Sequence, residues 1–293
     1  MNAKQMPLVC IIMPVYNGEN IIHYALNSIV RQTYENWICV IVNDGSTDRT
    51  KEILDSIEDK RFKIVHLSHN CGRGAARDEA LNRAEGKYLA YLDADDMMHK
   101  DKIKTQVEFM ESHPEFMLVS CGGITYNDKF KAHCTFGLKS FESANIMQYG
   151  QALPLTLPAS MARLDHAKIF RYNHKLDVGE DYDYFARYCE GYRYANIGRI
   201  LYYYQTGNVT AKKILYYQFS NLKSIGVHWK MGLRLKAITL LFTSILKIAA
   251  YAILLLFVNA NKLAEKRLGR KATKEQMDEF EKETATIITK LEK

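Results

Sequence analysis

The sequence has no CxxC pair and no Cys or His spacing of the kind that holds a metal. Its six cysteines (Cys10, Cys39, Cys71, Cys121, Cys134 and Cys189) therefore read as reduced and structural, as in a cytoplasmic protein. Met1 to Met6 lack an apolar core, so no signal peptide is expected. No GxGxxG follows the first apolar run, which argues against a dinucleotide oxidoreductase. There is no internal repeat and no low-complexity linker. Acid is nearly missing from Gln205 to Lys274. In that segment 13 Lys and Arg stand against one acid, Glu265, leaving 27 of the 40 bases and 32 of the 33 acids to the rest of the chain. A basic segment on a slightly acidic body suggests an anionic surface as partner. The apolar run inside the segment favours a membrane and argues against nucleic acid.

With 293 residues, 47% of them hydrophobic and 25% charged, the chain can bury a full core. Leu8 to Met13 is a continuous apolar run that Pro14 is expected to stop. Ile21, Ile22, Ala25, Leu26 and Ile29 then repeat at helical spacing. Trp37 to Val42, Phe62 to Leu67 and Lys87 to Leu92 are further strands, with helices between them. Ser46 or Asp48 is positioned to cap the helix that runs to Ile57. This alternation predicts an α/β fold with a Rossmann-like, mostly parallel central sheet. Ligands collect at the C-terminal strand ends of such sheets, and polar residues follow the strands here: Tyr16-Asn17, Asn43-Asp44, His69-Asn70 and Asp93 to Asp96. Later strands are expected at Phe116 to Ile124, Ala159 to Leu164 and Leu201 to Tyr204. Helices are expected at Asp181 to Glu190, Leu233 to Asn259 and Lys271 to Lys293.

Each polar stretch has a modest reading when taken alone. Asp93-Ala94-Asp95-Asp96 is an acid cluster that either caps the helix from Lys102 to Glu111 or binds a hard cation such as Mg²⁺ or Mn²⁺ beside phosphate. Asn43-Asp44-Gly45-Ser46 is an Asx turn or a base and ribose contact. The glycine-rich stretch from Asn70 through Gly72, Arg73 and Gly74 to Arg77 is a turn with surface arginines or a phosphate loop.

Taken in order, each after a strand, these stretches and Pro14-Val15-Tyr16-Asn17 resemble the family 2 glycosyltransferases of bacterial surface-polysaccharide type, closely over about Pro7 to Asp101 and loosely to Thr210. The resemblance implies the GT-A fold and an inverting, metal-dependent transferase. Its donor would be a nucleotide-diphosphate sugar, with uridine as the base. It implies that Asp44 contacts the base, while Pro14, Val15, Tyr16 and Asn17 line the nucleotide pocket with Glu19 near it. Gly72, Arg73 and Arg77 would lie beside the donor, with Asp93 and Ala94 at the ribose or sugar and Asp95 on Mn²⁺ or Mg²⁺. Asp96 is then left as a helix cap. Asp78 stands where the family usually has Asn.

Transfer also needs a base at the acceptor hydroxyl. Gly179-Glu180-Asp181-Tyr182-Asp183 resembles the family's Glu-Asp pair, which implies Asp181 as the base with Glu180 as the runner-up. Gln205 stands where some relatives carry a metal-binding His. The tyrosines from Tyr182 to Tyr217 read as packing more than as sugar platforms. A nucleotidyltransferase would want a basic glycine loop directly after the first strand, and a non-catalytic nucleotide-sugar scaffold would not need Asp181 together with Asp93 and Asp95.

Residues 1–110 are expected to form the donor half and 111–215 the acceptor half of one domain. A basic, apolar helical region, 216–293, follows as an extension for membrane association or homo-oligomerisation. Ile238 to Ala260 is 23 residues with one charge, Lys247. That length suits a bilayer span, but Thr239, Thr243, Lys247 and Tyr251 form a polar stripe and bases crowd both ends. The preferred reading is a helix in the cytoplasmic membrane interface; a span and a helix packed in an oligomer are the alternatives. A membrane-bound tail fits a saccharide or lipid-linked saccharide acceptor; a polyprenyl-phosphate glycosyltransferase is the alternative.

Overall fold

The computed structural model describes residues 6–143, 155–176, 179–207, 210–212, 215–216, 225, 234–257 and 269–288. The first third alternates as the sequence predicts: β1 (Val9–Val15), α1 (Ile22–Val30), β2 (Trp37–Asn43), α2 (Thr50–Asp55), β3 (Phe62–His66), α3 (Arg73–Arg83) and β4 (Tyr88–Tyr91). β1 lies between β2 and β4, parallel to both, and β3 extends the sheet beside β2. Both faces of β1 are buried, which is why its run is apolar without alternation. Val9, Ile11 and Met13 pack with Ile22, Ala25 and Ile29 of α1. Cys10 and Ile12 pack on the other face with Ala76, Ala80 and Leu81 of α3.

Pro14 does not stop β1, which continues to Val15. The Val15 carbonyl accepts from Asp44 N–H beside β2, and the Ile12 carbonyl accepts from Leu92 N–H beside β4. Even-numbered residues therefore face β4, and the ladder to β4 ends at Ile12↔Tyr91. The donor that proline lacks falls just past that end, so no ladder pair is lost.

The second half is mixed. It contains β5 (Met97–Met98), α4 (Lys102–Ser112), β6 (Phe116–Tyr126), β7 (Ala132–Phe136), β8 (Phe141–Glu142), β9 (Met161–Arg163), α5 (Leu164–Ala167), α6 (Glu180–Tyr188) and β10 (Arg193–Gln205). β9 runs antiparallel to both β4 and β6 and joins the two halves into one sheet. β10 runs parallel to β6 and antiparallel to β5 and β8. The sheet is thus all parallel from β1 to β4 and mixed beyond it, where β10 and β6 form a further parallel pair. The short strand expected at Leu201 to Tyr204 is the end of a 13-residue strand. Its earlier part escapes sequence reading because register shifts between Ile197, Ile200 and Tyr202 break the period of two.

The C-terminal region holds α7 (Arg234–Phe257), β11 (Arg270–Lys271) and α8 (Lys274–Ile288). Leu233, Val258, Asn259 and Thr289 to Lys293, expected to be helical, lie outside the described residues. The last part of the region is no appendage. β11 pairs antiparallel with β7, at Arg270↔Thr135 and Lys271↔Cys134. A capping box starts α8: Gln276 N–H donates to Thr273 Oγ1 at 3.3 Å and Thr273 N–H donates to Gln276 Oε1 at 2.9 Å. Phe280 then packs on Tyr126 and Tyr203, with ring centroids 5.4 and 5.2 Å away. Asn27 Nδ2 donates to the Ile287 carbonyl at 3.1 Å, Lys131 pairs with Glu281 at 3.0 Å, and Lys100 pairs with Glu283.

Phe280 is 2% exposed, so Phe280→Ala removes a core side chain. Chemical denaturation should show a loss of about 3–5 kcal/mol. A loss below about 1 kcal/mol would mean that α8 does not dock on β6 and β10 in solution.

Candidate active site

The C-terminal ends of β1, β2, β3 and β4 open on one edge of the sheet, and their loops are tied to each other. Asn17 takes a positive φ of 52° and exchanges hydrogen bonds with the loop after β2. Its N–H donates to Ser46 Oγ at 2.9 Å, and its Oδ1 accepts from Thr47 N–H at 2.9 Å. Gly18 N–H donates to Thr50 Oγ1, Glu19 N–H donates to Asp48 Oδ2, and Arg49 N–H donates to Glu19 Oε2. The Asx turn read in the sequence is present, with Ser46 N–H donating to Asn43 Oδ1 at 3.0 Å. Asp48 accepts Thr50 N–H, although Arg49 holds the N-cap position of α2.

Asp44 ties the second loop to the third. Its two oxygens accept from Cys71 N–H at 2.7 Å and Gly72 N–H at 2.9 Å. Gly45 permits the close crossing: at φ +66°, an added Cβ would lie 2.3 Å from the His69 carbonyl carbon. Gly72, at φ +89°, then turns the chain into α3.

A cavity of about 680 Å³ sits on this edge. Of the residues expected at the donor, Pro14, Val15, Tyr16, Asp44, Gly72, Arg73, Asp93, Ala94 and Asp95 line it, and so does Glu180. Asn17 and Glu19 are not in its wall; they serve the loop clamps. Arg77 and Asp181 are also outside the wall. The first residues of α3, Arg73 to Ala76, point the positive end of an 11-residue helix at the cavity.

Arg77, 6% exposed, lies behind the wall and joins its two sides. Nη2 donates to Asp93 Oδ1 at 2.8 Å, and Nη1 donates to Glu180 Oε1 at 2.7 Å. Burial opposes the guanidinium charge, but Asp93, Asp181 and Glu180 more than offset it and hold Arg77 firmly protonated. Arg73 Nε stands 3.5 Å from the same Glu180 oxygen. The other oxygen, Glu180 Oε2, is buried and accepts no hydrogen bond from any described residue. Asp181 is half-buried and accepts from Tyr182 N–H at 2.8 Å. Gly179, at φ +81°, supplies no side-chain cap, so the acids of the first turn of α6 face its dipole directly.

The cap reading of Asp96 is corrected. Lys102 starts α4, and Asp101 holds its N-cap position. Asp96 is 1% exposed and accepts from Tyr202 Oη at 2.6 Å and Gln205 N–H at 2.7 Å, so it pins β10 to the acidic loop. Burial, with Asp95 and Asp93 nearby, pushes its carboxyl well above the usual range. Tyr126 Oη donates to the Asp95 carbonyl at 3.0 Å from the other side. Asp95 itself is exposed in the cavity wall.

Sequence reading missed His174, Leu176, Tyr204 and Tyr216 in the wall. For His174 the Asp78 departure was the one signal. Its carboxylate accepts from Tyr172 N–H at 3.0 Å and pairs with His174 Nε2 at 2.7 Å, so it carries the 172–174 loop to the cavity. The packing reading of the tyrosines holds for Tyr184, Tyr188, Tyr202 and Tyr203, all fully buried, while Tyr204 and Tyr216 reach the cavity. Cys71 is also in the wall and is the one exposed thiol of six.

A family model described as Glycosyl transferase family 2 matches residues 10–170, which contain the four loops, the acidic run and β9. The chain belongs to glycosyltransferase family 2. A Bacillus subtilis glycosyltransferase named for teichuronic acid biosynthesis, TuaG, is 44% identical over 106 residues, 36% of this chain and 42% of that protein. The match to an uncharacterized Haemophilus influenzae glycosyltransferase has a similar extent: 42% identity over 107 residues, 36% of this chain and 43% of that one. The chain thus spans under half the length of these two relatives. An Escherichia coli protein named UDP-Glc:alpha-D-GlcNAc-diphosphoundecaprenol beta-1,3-glucosyltransferase, WfaP, is 31% identical over 228 residues, 76% of this chain and 88% of that protein. The S. aureus TarS 1-349 structure in complex with UDP superposes with a TM-score of 0.56 at 21% identity, covering 74% of this chain and 64% of that one. At that identity it establishes that this family 2 member shares the fold.

Two predictions test the site geometry. Arg77→Met leaves two carboxylates facing a neutral side chain and should cost about 3–5 kcal/mol in denaturation experiments. Arg77→Lys should recover only part of it, because one ammonium replaces a fork that reaches both acids. An unchanged midpoint in Arg77→Met would disprove the bridge. Separately, a thiol reagent on the folded protein should modify one cysteine quickly, and peptide mapping should place it at Cys71. Burial pushes Cys10 up to about 12 and Cys121 up to about 11, so these thiols should stay inert.

Proposed function

We propose that this family 2 protein is an inverting transferase, moving a sugar from a nucleotide-diphosphate sugar to a saccharide or lipid-linked saccharide during surface-polysaccharide synthesis. The observation that carries this reading is the cavity, where Asp44, Asp93, Asp95, Arg73 and the start of α3 share one wall with Glu180. Residues 1–110 act as the donor half and 111–215 as the acceptor half; 216–293 brings the protein to the cytoplasmic face of a membrane. The E. coli relative's name pairs a UDP-sugar with a diphosphoundecaprenol-linked acceptor, and the TarS neighbour was crystallised with UDP and with UDP-GlcNAc, which supports UDP as the carrier here.

Pro14, Val15 and Tyr16 bind the nucleoside with Asp44, while Asn17 and Glu19 hold their loop in place. The diphosphate lies toward Gly72, Arg73 and the helix N-terminus, where backbone N–H groups and charge favour an anion. Asp93 and Ala94 contact the ribose or sugar. Among the described residues no three His, Cys, Asp or Glu side chains form a metal cluster. The donor set fits a cation shared with the substrate: Asp95 would hold Mn²⁺ or Mg²⁺, with diphosphate oxygens and water completing the shell. When bound, such a cation neutralises charge on the leaving diphosphate.

Asp181 serves as the base. It removes the acceptor hydroxyl proton as that oxygen bonds to the anomeric carbon and the carbon–phosphate oxygen bond breaks. Glu180 is unsuited to that role, being held by Arg77; it positions the start of α6 instead. Asp181→Asn should leave donor binding intact and reduce transfer about 10²–10⁴-fold. Asp95→Asn should lose Mn²⁺-dependent donor binding in calorimetry. Equal loss of binding in both variants would refute this division. UDP should slow Cys71 modification, and a donor screen with lipid extract, read by nucleotide release, tests turnover. No release with any donor would overturn the transferase reading.

A further inference from the structure

The chain leaves one sheet before the apolar helix α7 and is back in that same sheet after it. Before it, the chain belongs to the sheet through Gln205 of β10. After it, Arg270 and Lys271 pair with β7 of that same sheet, and α8 docks Phe280 on Tyr126. The number of complete membrane crossings between Gln205 and Gly269 is therefore even. α7 is 24 residues, about 36 Å at 1.5 Å per residue, long enough for one crossing. A partner crossing has no sequence to build it. The stretch before α7 carries Gln218, Asn221, Lys223, His228 and Lys230, which would put a lysine near the bilayer centre. The 11 residues after it, 258–268, span only about 16 Å as a helix, and an extended strand would carry unpaired backbone groups through hydrocarbon. An even number with one candidate leaves zero.

The helix nevertheless presents apolar surface. Within Ala237–Leu255 only 6% of a membrane-length window is buried. Leu235, Phe242, Leu246 and Ile253, spaced 7, 4 and 7 apart, form one line along it and are 83%, 63%, 68% and 59% exposed. Ala237 and Ser244, on the opposite side, are buried. Bases flank the helix in both directions with a single acid between Gln205 and Lys274, so pairing two copies along α7 would set base against base. An anionic lipid surface complements that pattern, with the apolar line in the acyl boundary and bases at the headgroups.

We propose that α7 lies in the plane of one leaflet of an anionic bilayer, tethered at both ends to the catalytic domain, and crosses nothing. This rests on the membrane reading of residues 216–293 given above and adds the topology. The test uses the purified full chain with vesicles of phosphatidylglycerol and phosphatidylethanolamine, and with phosphatidylcholine vesicles as control. The protein should float with the anionic vesicles at least tenfold more than with the control. The double variant Phe242→Asp, Leu246→Asp, changed at exposed positions, should lose that flotation while keeping its thermal midpoint. On floated Glu279→Cys protein, a membrane-impermeant maleimide should label position 279 of α8 as fast as Cys71. Position 279 labelled only after detergent would overturn the in-plane topology and leave the membrane reading standing. Absence of flotation, or a wild-type dimer that the double variant splits, would overturn both. Transfer activity enters neither readout, so an inactive donor site would not imitate any of these results.

Discussion

One buried guanidinium ties the acidic loop after β4 to the start of α6. Arg77 projects from α3, takes Asp93 on one side and Glu180 on the other, and is itself sealed from solvent. These three residues come from positions 77, 93 and 180, in three separate elements. A charge buried this deeply is tolerated only when its partners are in place, so the fold must bring the acidic loop and the start of α6 together for α3 to pack at all. The same constraint separates two neighbouring acids. Glu180 is drawn inward and held by the arginines, which leaves Asp181, one residue on, half-buried and clear of that pair.

The acidic loop is held from behind by neutral groups. Tyr126 grips the Asp95 carbonyl, while Tyr202 and the Gln205 amide satisfy Asp96. Phe280 of α8 packs on Tyr126, so the last helix in the chain buttresses the loop that would carry the cation. A segment that reads as an appendage is thereby part of the site's support, and its return to the sheet restricts what the apolar helix before it can do.

The half from β1 to β4 was legible because its signals are local. Strands covered on both faces are continuous apolar runs, and polar loops follow each of them, so the order of β1 to β4 and the positions of Asp44, Arg73, Asp93 and Asp95 could be read directly. The half from β5 to β10 was less legible. Register shifts hide most of β10, and β5 and β8 are only two residues long. The roles of Asn17 and Glu19 in clamping the loops, of Asp78 in carrying His174, and of Asp96 in pinning β10 all depend on partners 29 or more residues away, which no periodicity encodes.

The sequence by itself determined the family, the parallel sheet of β1 to β4 and the residue types at its edge, because motif spacing and hydrophobic period are properties of neighbouring residues. Only the tertiary structure decided which acid of the Glu180-Asp181 pair is locked, what Asp96 is for, and that the chain comes back to its own sheet after α7. Those outcomes follow from ion pairs, hydrogen bonds and strand pairing between distant segments. Such contacts exist only once the chain has closed on itself.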